Sequence, residues 1–120
     1  MTGAPAQDVR SAIGSPFELR DGQSAAVGSA GLVIRFERVT SDGRCPTGDT
    51  CAVPGDAVVR IVAEAPSAEP ATVDLHTDPQ AGPDGAYQGY RIKVVKLEPR
   101  PVGEQPTPLP HYTATFVVSR

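Results

Sequence analysis

The residues of this chain best suited to chemistry are its two cysteines, Cys45 and Cys51, and its two histidines, His76 and His111. Thiolates and imidazoles are common zinc ligands, and histidine is the commonest general base. The cysteines stand six positions apart in a segment flanked by Gly and Pro, which a disulfide closes easily. Structural zinc sites hold paired cysteines roughly two to four residues apart. We therefore predict a Cys45–Cys51 disulfide and no metal or cofactor, with a zinc site completed by both histidines as the alternative.

Catalytic machinery is not recognisable in the sequence. The two histidines lie in unrelated contexts, and no Gly-x-Ser-x-Gly motif occurs. Asp42, Asp49 and Asp56 recur around the cysteines, but they lack the alternating spacing of a calcium loop and are typical of turns and strand starts. We predict a noncatalytic protein without catalytic or metal-binding residues. A small metal-binding or enzymatic domain is the alternative interpretation.

The composition limits the size of the fold and the kinds of partner. A chain of 120 residues is enough for one hydrophobic core. With 11 Lys and Arg against 14 Asp and Glu, the formal net charge is -3, which offers no basic surface to nucleic acid. No uncharged stretch reaches the roughly 18 to 20 residues of a membrane-spanning helix. We therefore predict a single domain with no nucleic-acid partner and no transmembrane segment in this chain.

The first residues favour an exported protein. Residues 1–7 lack the basic start and apolar core of a signal peptide, and a Met before a Pro-, Ala- and Gly-rich start is typical of a chain whose leader has been removed. A disulfide would also require an oxidising compartment. We expect a periplasmic, cell-surface or secreted location, with a lipid tether in the full-length form. Residues 1–14 are predicted to be a flexible segment with one short helical turn at 8–13, and residues 15–120 the folded domain.

Short runs of alternating apolar residues predict the fold. The 13 Pro and 12 Gly leave no window for an interior helix, whereas Leu32, Ile34 and Phe36 take every second position of a run, as in a half-buried strand. Similar runs separated by turn residues are expected in sandwiches. The runs cover residues 17–20, 23–27, 32–39, 57–63, 72–77, 90–97 and 112–118. We predict an all-β fold: a single immunoglobulin-like antiparallel β-sandwich of about seven strands with a small disulfide-closed loop.

Several details of this fold can be predicted from the same pattern. Runs 17–20 and 23–27, joined by Asp21-Gly22, indicate an opening hairpin or a pair of edge strands. Run 57–63 is apolar on both faces, which is typical of a central strand. The alternation changes phase near Val95, as a β-bulge would allow. The proline-rich residues 99–110 predict a stiff crossover between sheets.

A longer pattern surrounds the cysteines. A strand at Leu32–Val39 leads into Asp42, Gly43, Arg44, Cys45 and Pro46, then Cys51, Gly55 and a second strand at Ala57–Val59. This part of the chain resembles a family of uncharacterised bacterial exported proteins and lipoproteins. In that family, Asp-Ser-Arg-Cys-Pro is followed by four variable residues, Cys, a Trp two positions later, and Gly before another strand. Here Gly replaces the Ser, and Val53 occupies the Trp position. The resemblance implies an exported protein and carries no established activity.

Our leading functional hypothesis is a noncatalytic cell-envelope module that is structural or binds an unidentified protein or glycan. Sandwich domains expose loops at their ends, and the loops predicted to make contact are residues 41–55 and 78–89. The candidate contact residues are Arg44, Pro46, Thr47, Asp49 and Tyr87. Arg44 can instead bridge to a nearby carboxylate or carbonyl within the fold, and the cysteine loop then has only a structural role. The alternative is an inhibitor that presents the Cys45–Cys51 loop, held rigid by its bridge, to a target enzyme.

Overall fold

A computed structural model describes residues 9–45, 50–52, 55–82, 84–98 and 112–120 of the chain. Within these residues the regular structure is β, apart from one short 3-10 helix, so the all-β prediction is confirmed. The strands are β1 (Val9–Ser11), β2 (Phe17–Arg20), β3 (Ser24–Val27), β4 (Leu32–Asp42), β5 (Ala57–Glu64), β6 (Ala71–His76), β7 (Gly85–Tyr87), β8 (Tyr90–Glu98) and β9 (Thr113–Ser119). The 3-10 helix η1 (Pro79–Ala81) lies between β6 and β7.

The strands form two sheets that enclose the core as a sandwich. The five-stranded sheet has the order β1-β3-β4-β5-β6, and the four-stranded sheet has the order β2-β9-β8-β7. All neighbours are antiparallel except β1 and β3, which are parallel. Strands β3 to β6 follow one another by hairpins within one sheet, whereas an immunoglobulin domain moves to its other sheet between its second and third strands. The sandwich prediction is confirmed, and its immunoglobulin-like topology is not.

The core contains the residues that the alternation predicted. Every second side chain is buried throughout β5 and β9, from Leu32 to Phe36 in β4, and from Tyr90 to Val94 in β8. β5 lies between β4 and β6 as a central strand. Phe116 of β9 contacts Phe17 within its own sheet and Phe36 of the opposite sheet, with ring centroids 5.8 and 5.9 Å apart. These distances are typical of favourable aromatic pairs, so one ring joins the two inner faces. The predicted bulge is present too, because the β8–β9 register shifts between Val94 and Lys96.

The N-terminal part of the chain differs from the prediction. β2 and β3 do not form a hairpin: β2 pairs with β9, and β3 pairs with β4. The turn between them carries the chain from one sheet to the other, because Asp21 N donates to Tyr112 O and Gly22 N donates to Phe36 O. Residues 9–11, expected in a flexible segment with a helical turn, form β1 beside β3. Three residues are too few to show a periodicity, so only the pairing with β3 defines this strand.

The segment 78–89 is more ordered than an exposed loop. Asp78 caps η1, and its carboxylate accepts a hydrogen bond from Gln80 N at 3.0 Å. β7 then begins at Gly85, where a Cβ atom would collide with side chains of β6, including Leu75 Cδ2 at 2.9 Å. A glycine is therefore needed at the start of β7, where the backbone packs closely against side chains of β6 in the other sheet. The crossover predicted at residues 99–110 lies outside the described residues.

Candidate functional site

The two predicted contact loops lie together at one end of the sandwich. Gly43 N donates to Asp56 O at 2.8 Å, which closes the base of the β4–β5 connection. The Asp56 carboxylate then contacts His76 Nδ1 at 2.7 Å and accepts from Asp78 N at 2.9 Å. Asp56 thereby joins the loop 41–55 to the start of the segment 78–89. We call this region, described residues 42–45, 50–52, 55–57 and 76–82, the loop end.

The predicted disulfide is present at the loop end. Cys45 and Cys51 are bonded, with their Cα atoms 6.0 Å apart, and neither is a free thiol. Both sulfur atoms are therefore unavailable as thiolate ligands, which removes the zinc site proposed as the alternative. In the chain-entropy treatment, closing so small a loop stabilises a fold by about 2 kcal/mol.

Arg44, next to the disulfide, connects the two sheets. Its Nε and Nη2 atoms donate to the two carboxylate oxygens of Asp42, each at 2.7 Å, and Nη1 donates to Leu97 O at 2.6 Å. Tyr112 Oη donates to the same carboxylate at 3.1 Å. Asp42 ends β4, whereas Leu97 lies in β8 and Tyr112 precedes β9. A bidentate Arg–carboxylate contact of this kind is among the stronger hydrogen-bonded interactions in proteins.

This ion pair is largely removed from water. The Arg44 side chain is 8% exposed and the Asp42 side chain 13% exposed. Burial alone would raise the pKa of Asp42, but the hydrogen bonds and charge of Arg44, with the Tyr112 hydroxyl, outweigh burial and lower that pKa. Burial, then the charge of Asp42, raises the pKa of Tyr112. The cluster therefore holds a carboxylate, a guanidinium and a neutral phenol at ordinary pH.

Gly55 completes the base of the loop. Its φ of +79° lies in the left-handed region, where side chains other than glycine are strained. A Cβ atom there would also collide with Gly43 O and lie 2.9 Å from Arg44 Cα. This glycine belongs to the pattern that surrounds the cysteines, and close backbone packing explains it. Asp42, Arg44 and the disulfide are likewise explained by contacts within the fold.

The pair Asp56–His76 is the second contact between the loops. Burial would raise the pKa of Asp56, but the hydrogen bond and charge of His76 and the amides of Asp78 and Thr77 lower it. A carboxylate that orients a histidine also occurs in catalytic triads. In the part of the chain that the structure describes, however, the ring of His76 has no hydroxyl or thiol as a hydrogen-bond partner. Among the described residues the arrangement connects two loops.

The predicted contact residues take different positions. The Arg44 side chain is engaged inside the loop end, and Tyr87 is 6% exposed with its hydroxyl donating to Glu69 O at 2.9 Å. Pro46, Thr47 and Asp49, like His111, lie outside the described residues. Sequence reasoning missed the roles of Asp56 and His76 because they meet across the β5–β6 pair. Asp42 stands opposite the buried Ala57 and thus at a core-facing position. That position depends on the register of β4 with β5, which the sequence alone does not give.

Comparisons of the chain with family models, with curated proteins and with solved structures gave no match. The resemblance to exported proteins and lipoproteins therefore stays a prediction. Among the described residues no helix is long and apolar enough to cross a membrane. The disulfide is consistent with an extracytoplasmic location, because such bonds persist in oxidising compartments.

Proposed function

We propose that the chain is a noncatalytic, exported cell-envelope module that binds a protein or glycan partner through the loops of its loop end. The observation that supports this most is the placement of Asp56, which holds the loop 41–55 and the segment 78–89 side by side. Two loops on one rigid base can contact a single partner together, as the loops of other sandwich domains do.

The rigidity of the base supports a binding role. A loop that is already ordered before binding loses less conformational entropy when a partner docks. Here the disulfide, the Arg44 contacts and the Gly43–Asp56 hydrogen bond all restrict the same connection. The proposed contact residues are Pro46, Thr47 and Asp49 of the loop 41–55, together with exposed residues of the segment 78–89 such as Gln80. The engaged Arg44 supports that surface. Tyr87 does not, because it is buried and donates to Glu69 O in the β5–β6 connection, at the other end of the sandwich.

A glycan array and a panel of envelope proteins from the source cell would test this proposal with the whole chain. A variant in which Thr47 and Asp49 are both changed to Ala keeps the cysteines, and Gln80→Ala probes the second loop. Lys93→Ser, on the exposed face of β8, is the matched control. We expect the loop variants to lose binding at least tenfold and the control to retain it. Equal retention by all variants would refute the assignment to the loop end.

An inhibitor is the second candidate, and the bridge itself favours it. The Cys45–Cys51 loop is covalently closed and its first cysteine follows an anchored arginine, which suits a segment inserted into an enzyme cleft. Protease and glycosidase assays with the intact chain and with a Cys45→Ser/Cys51→Ser variant would separate the two candidates. An inhibitor should reduce turnover and should weaken strongly without the bridge. A chain that binds a partner and leaves all enzyme rates unchanged would count against inhibition.

The export proposal includes a location and an anchor. We infer a periplasmic, cell-surface or secreted protein whose full-length form carries a lipid tether. Support comes from the disulfide and from the resemblance of the cysteine pattern to exported lipoproteins. Fractionation of the source cell, with metabolic labelling by a fatty acid, tests both parts. Recovery of the protein with reduced cysteines in the cytoplasm would contradict them.

A further inference from the structure

Among the described residues, no strand pairs with the outer side of β6, the last strand of the five-stranded sheet. The described edge strands β1, β2 and β7 have three or four residues, whereas β6 has six. Short edge strands protect a sheet from pairing with another chain, as do prolines, bulges and lysines. β6 has none of those three, and its register with β5 is unbroken. Among the described edges, β6 is therefore the one best suited to adding a strand.

The hydrogen bonds show which backbone groups this edge offers. Thr77 N donates to Ala57 O at 3.0 Å, and this pair continues the β5–β6 register. Hydrogen-bonded and non-hydrogen-bonded pairs alternate along an antiparallel ladder. The odd-numbered residues of β6 thus bond to β5, and the N–H and C=O groups of Thr72, Asp74 and His76 point outward. Within the described part of the chain no other backbone group bonds to these three.

The side chains at this edge can pair with those of a second copy. Asp74 and His76 share the solvent-facing side of β6, with side chains 41% and 32% exposed. If two copies of β6 run antiparallel about a twofold axis at Leu75, Asp74 of each copy stands opposite His76 of the other. The outward backbone groups of these two residues then also face each other, as a hydrogen-bonded pair requires. A carboxylate opposite an imidazole can form a cross-strand hydrogen bond, whereas a register with Asp74 opposite Asp74 would be repulsive.

We propose that β6 pairs with β6 of a second copy of this chain, in the register that sets Asp74 opposite His76, and that the two five-stranded sheets become one continuous sheet. The interface is isologous, so each contact occurs twice. Asp56 contacts Nδ1 of His76, which leaves Nε2 to donate to the other copy's carboxylate when the ring carries both protons. The loop ends of both copies then lie on one assembly, which would increase binding to a repeated partner through avidity. The pairing itself is independent of the function proposed above.

Sedimentation equilibrium and amide hydrogen exchange of the whole chain, over a range of concentrations, test this pairing together. The average mass should rise from 12.5 kDa towards twice that value. The amides of Asp74 and His76 should slow with rising concentration, while those of Val73 and Leu75, already bonded to β5, should not change. A monomer at every concentration, or a dimer in which the Asp74 and His76 amides exchange as in the monomer, would overturn the proposal.

Three variants separate edge pairing from a general loss of stability. Asp74→Pro removes an outward N–H and leaves the ladder to β5 intact, so it should abolish the dimer. Asp74→Asn keeps the N–H and loses the charge, and should weaken the dimer several-fold even if the proline variant does not fold. Arg60→Ala removes the partner of Asp74 within the same chain, at 2.9 Å, and should leave the dimer intact. Dimers of unchanged strength in both Asp74 variants would contradict the assigned register.

Discussion

At the scale of single residues, Arg44 matters most because its contacts join both sheets beside the disulfide. Arg44→Ala would leave the carboxylate of Asp42, 13% exposed, without its counter-charge. Breaking a buried pair by removing one partner costs about 3 kcal/mol or more. We expect a loss of that size in the free energy of unfolding, measured by urea denaturation. Arg60→Ala, which breaks the exposed pair with Asp74, is the control and should change stability little. Equal losses in the two variants would show that the Arg44–Asp42 pair stabilises the fold no more than an exposed ion pair does.

The acidic side chains of the loop end make stability depend on pH. The pKa values of Asp42 and Asp56 lie below the ordinary 3.8, so between the folded and unfolded values the unfolded chain binds more protons. The stabilisation from both groups is therefore complete above that range and is lost as the pH falls through the folded pKa values. Urea denaturation at a series of pH values should show stability falling below about pH 4. Asp42→Asn should lower stability at neutral pH and flatten the acid dependence, and an unchanged slope would contradict the described hydrogen bonds.

At the scale of elements, the β4–β5 connection depends on a glycine at its end. Gly55→Ala combines a positive φ with a collision against Gly43 and Arg44, whereas Gly22 has a positive φ and open space around it. The left-handed conformation alone costs on the order of 1 kcal/mol for alanine, so Gly22→Ala measures that part. We expect Gly55→Ala to be clearly more destabilising than Gly22→Ala in thermal unfolding. Similar melting temperatures would mean that the loop relaxes without penalty.

The strands show how far sequence periodicity predicts this fold. A period of two identified β4, β5, β8 and β9, because each has one buried face, and it also located the bulge near Val95. Pairing was harder to predict, since Asp21-Gly22 has the composition of a hairpin turn and yet carries the chain between sheets. β1 is too short for a pattern. Periodicity reports which face of a strand is buried and not which strand lies beside it.

The candidate site was predictable only in its local part. Six-residue spacing sufficed for the disulfide, because both cysteines lie in one loop. The contact of Asp42 with Tyr112 joins residues 70 positions apart, and that of Asp56 with His76 joins residues 20 apart. No pattern within one segment contains such contacts, since they arise from strand order and register. For Arg44 the sequence allowed either a partner contact or a bridge to a nearby carboxylate or carbonyl, and the structure shows the bridge, to Asp42 and Leu97 O.

At the scale of the whole molecule, the disulfide and the core stabilise the fold separately. The core lies between the sheets and contains neither cysteine. A Cys45→Ala/Cys51→Ala variant should therefore remain folded and cooperative, with the free energy of unfolding lower by about 2 kcal/mol. Urea denaturation with circular dichroism measures both properties. Loss of the folded sandwich on removal of the bridge would mean that the loop end is required for folding and not only for local stiffness.

The loop end is a rigid base of the fold, and native-state hydrogen exchange tests this rigidity most directly. The amide of Gly43 donates to Asp56 O, and that of Asp78 donates to the Asp56 carboxylate. If the base is part of the cooperative fold, both amides should exchange with opening free energies close to that of Ile61 in the central strand β5. If the amides of Gly43 and Asp78 instead exchange through a local opening of low free energy while that of Ile61 stays protected, the loop end is not a rigid base.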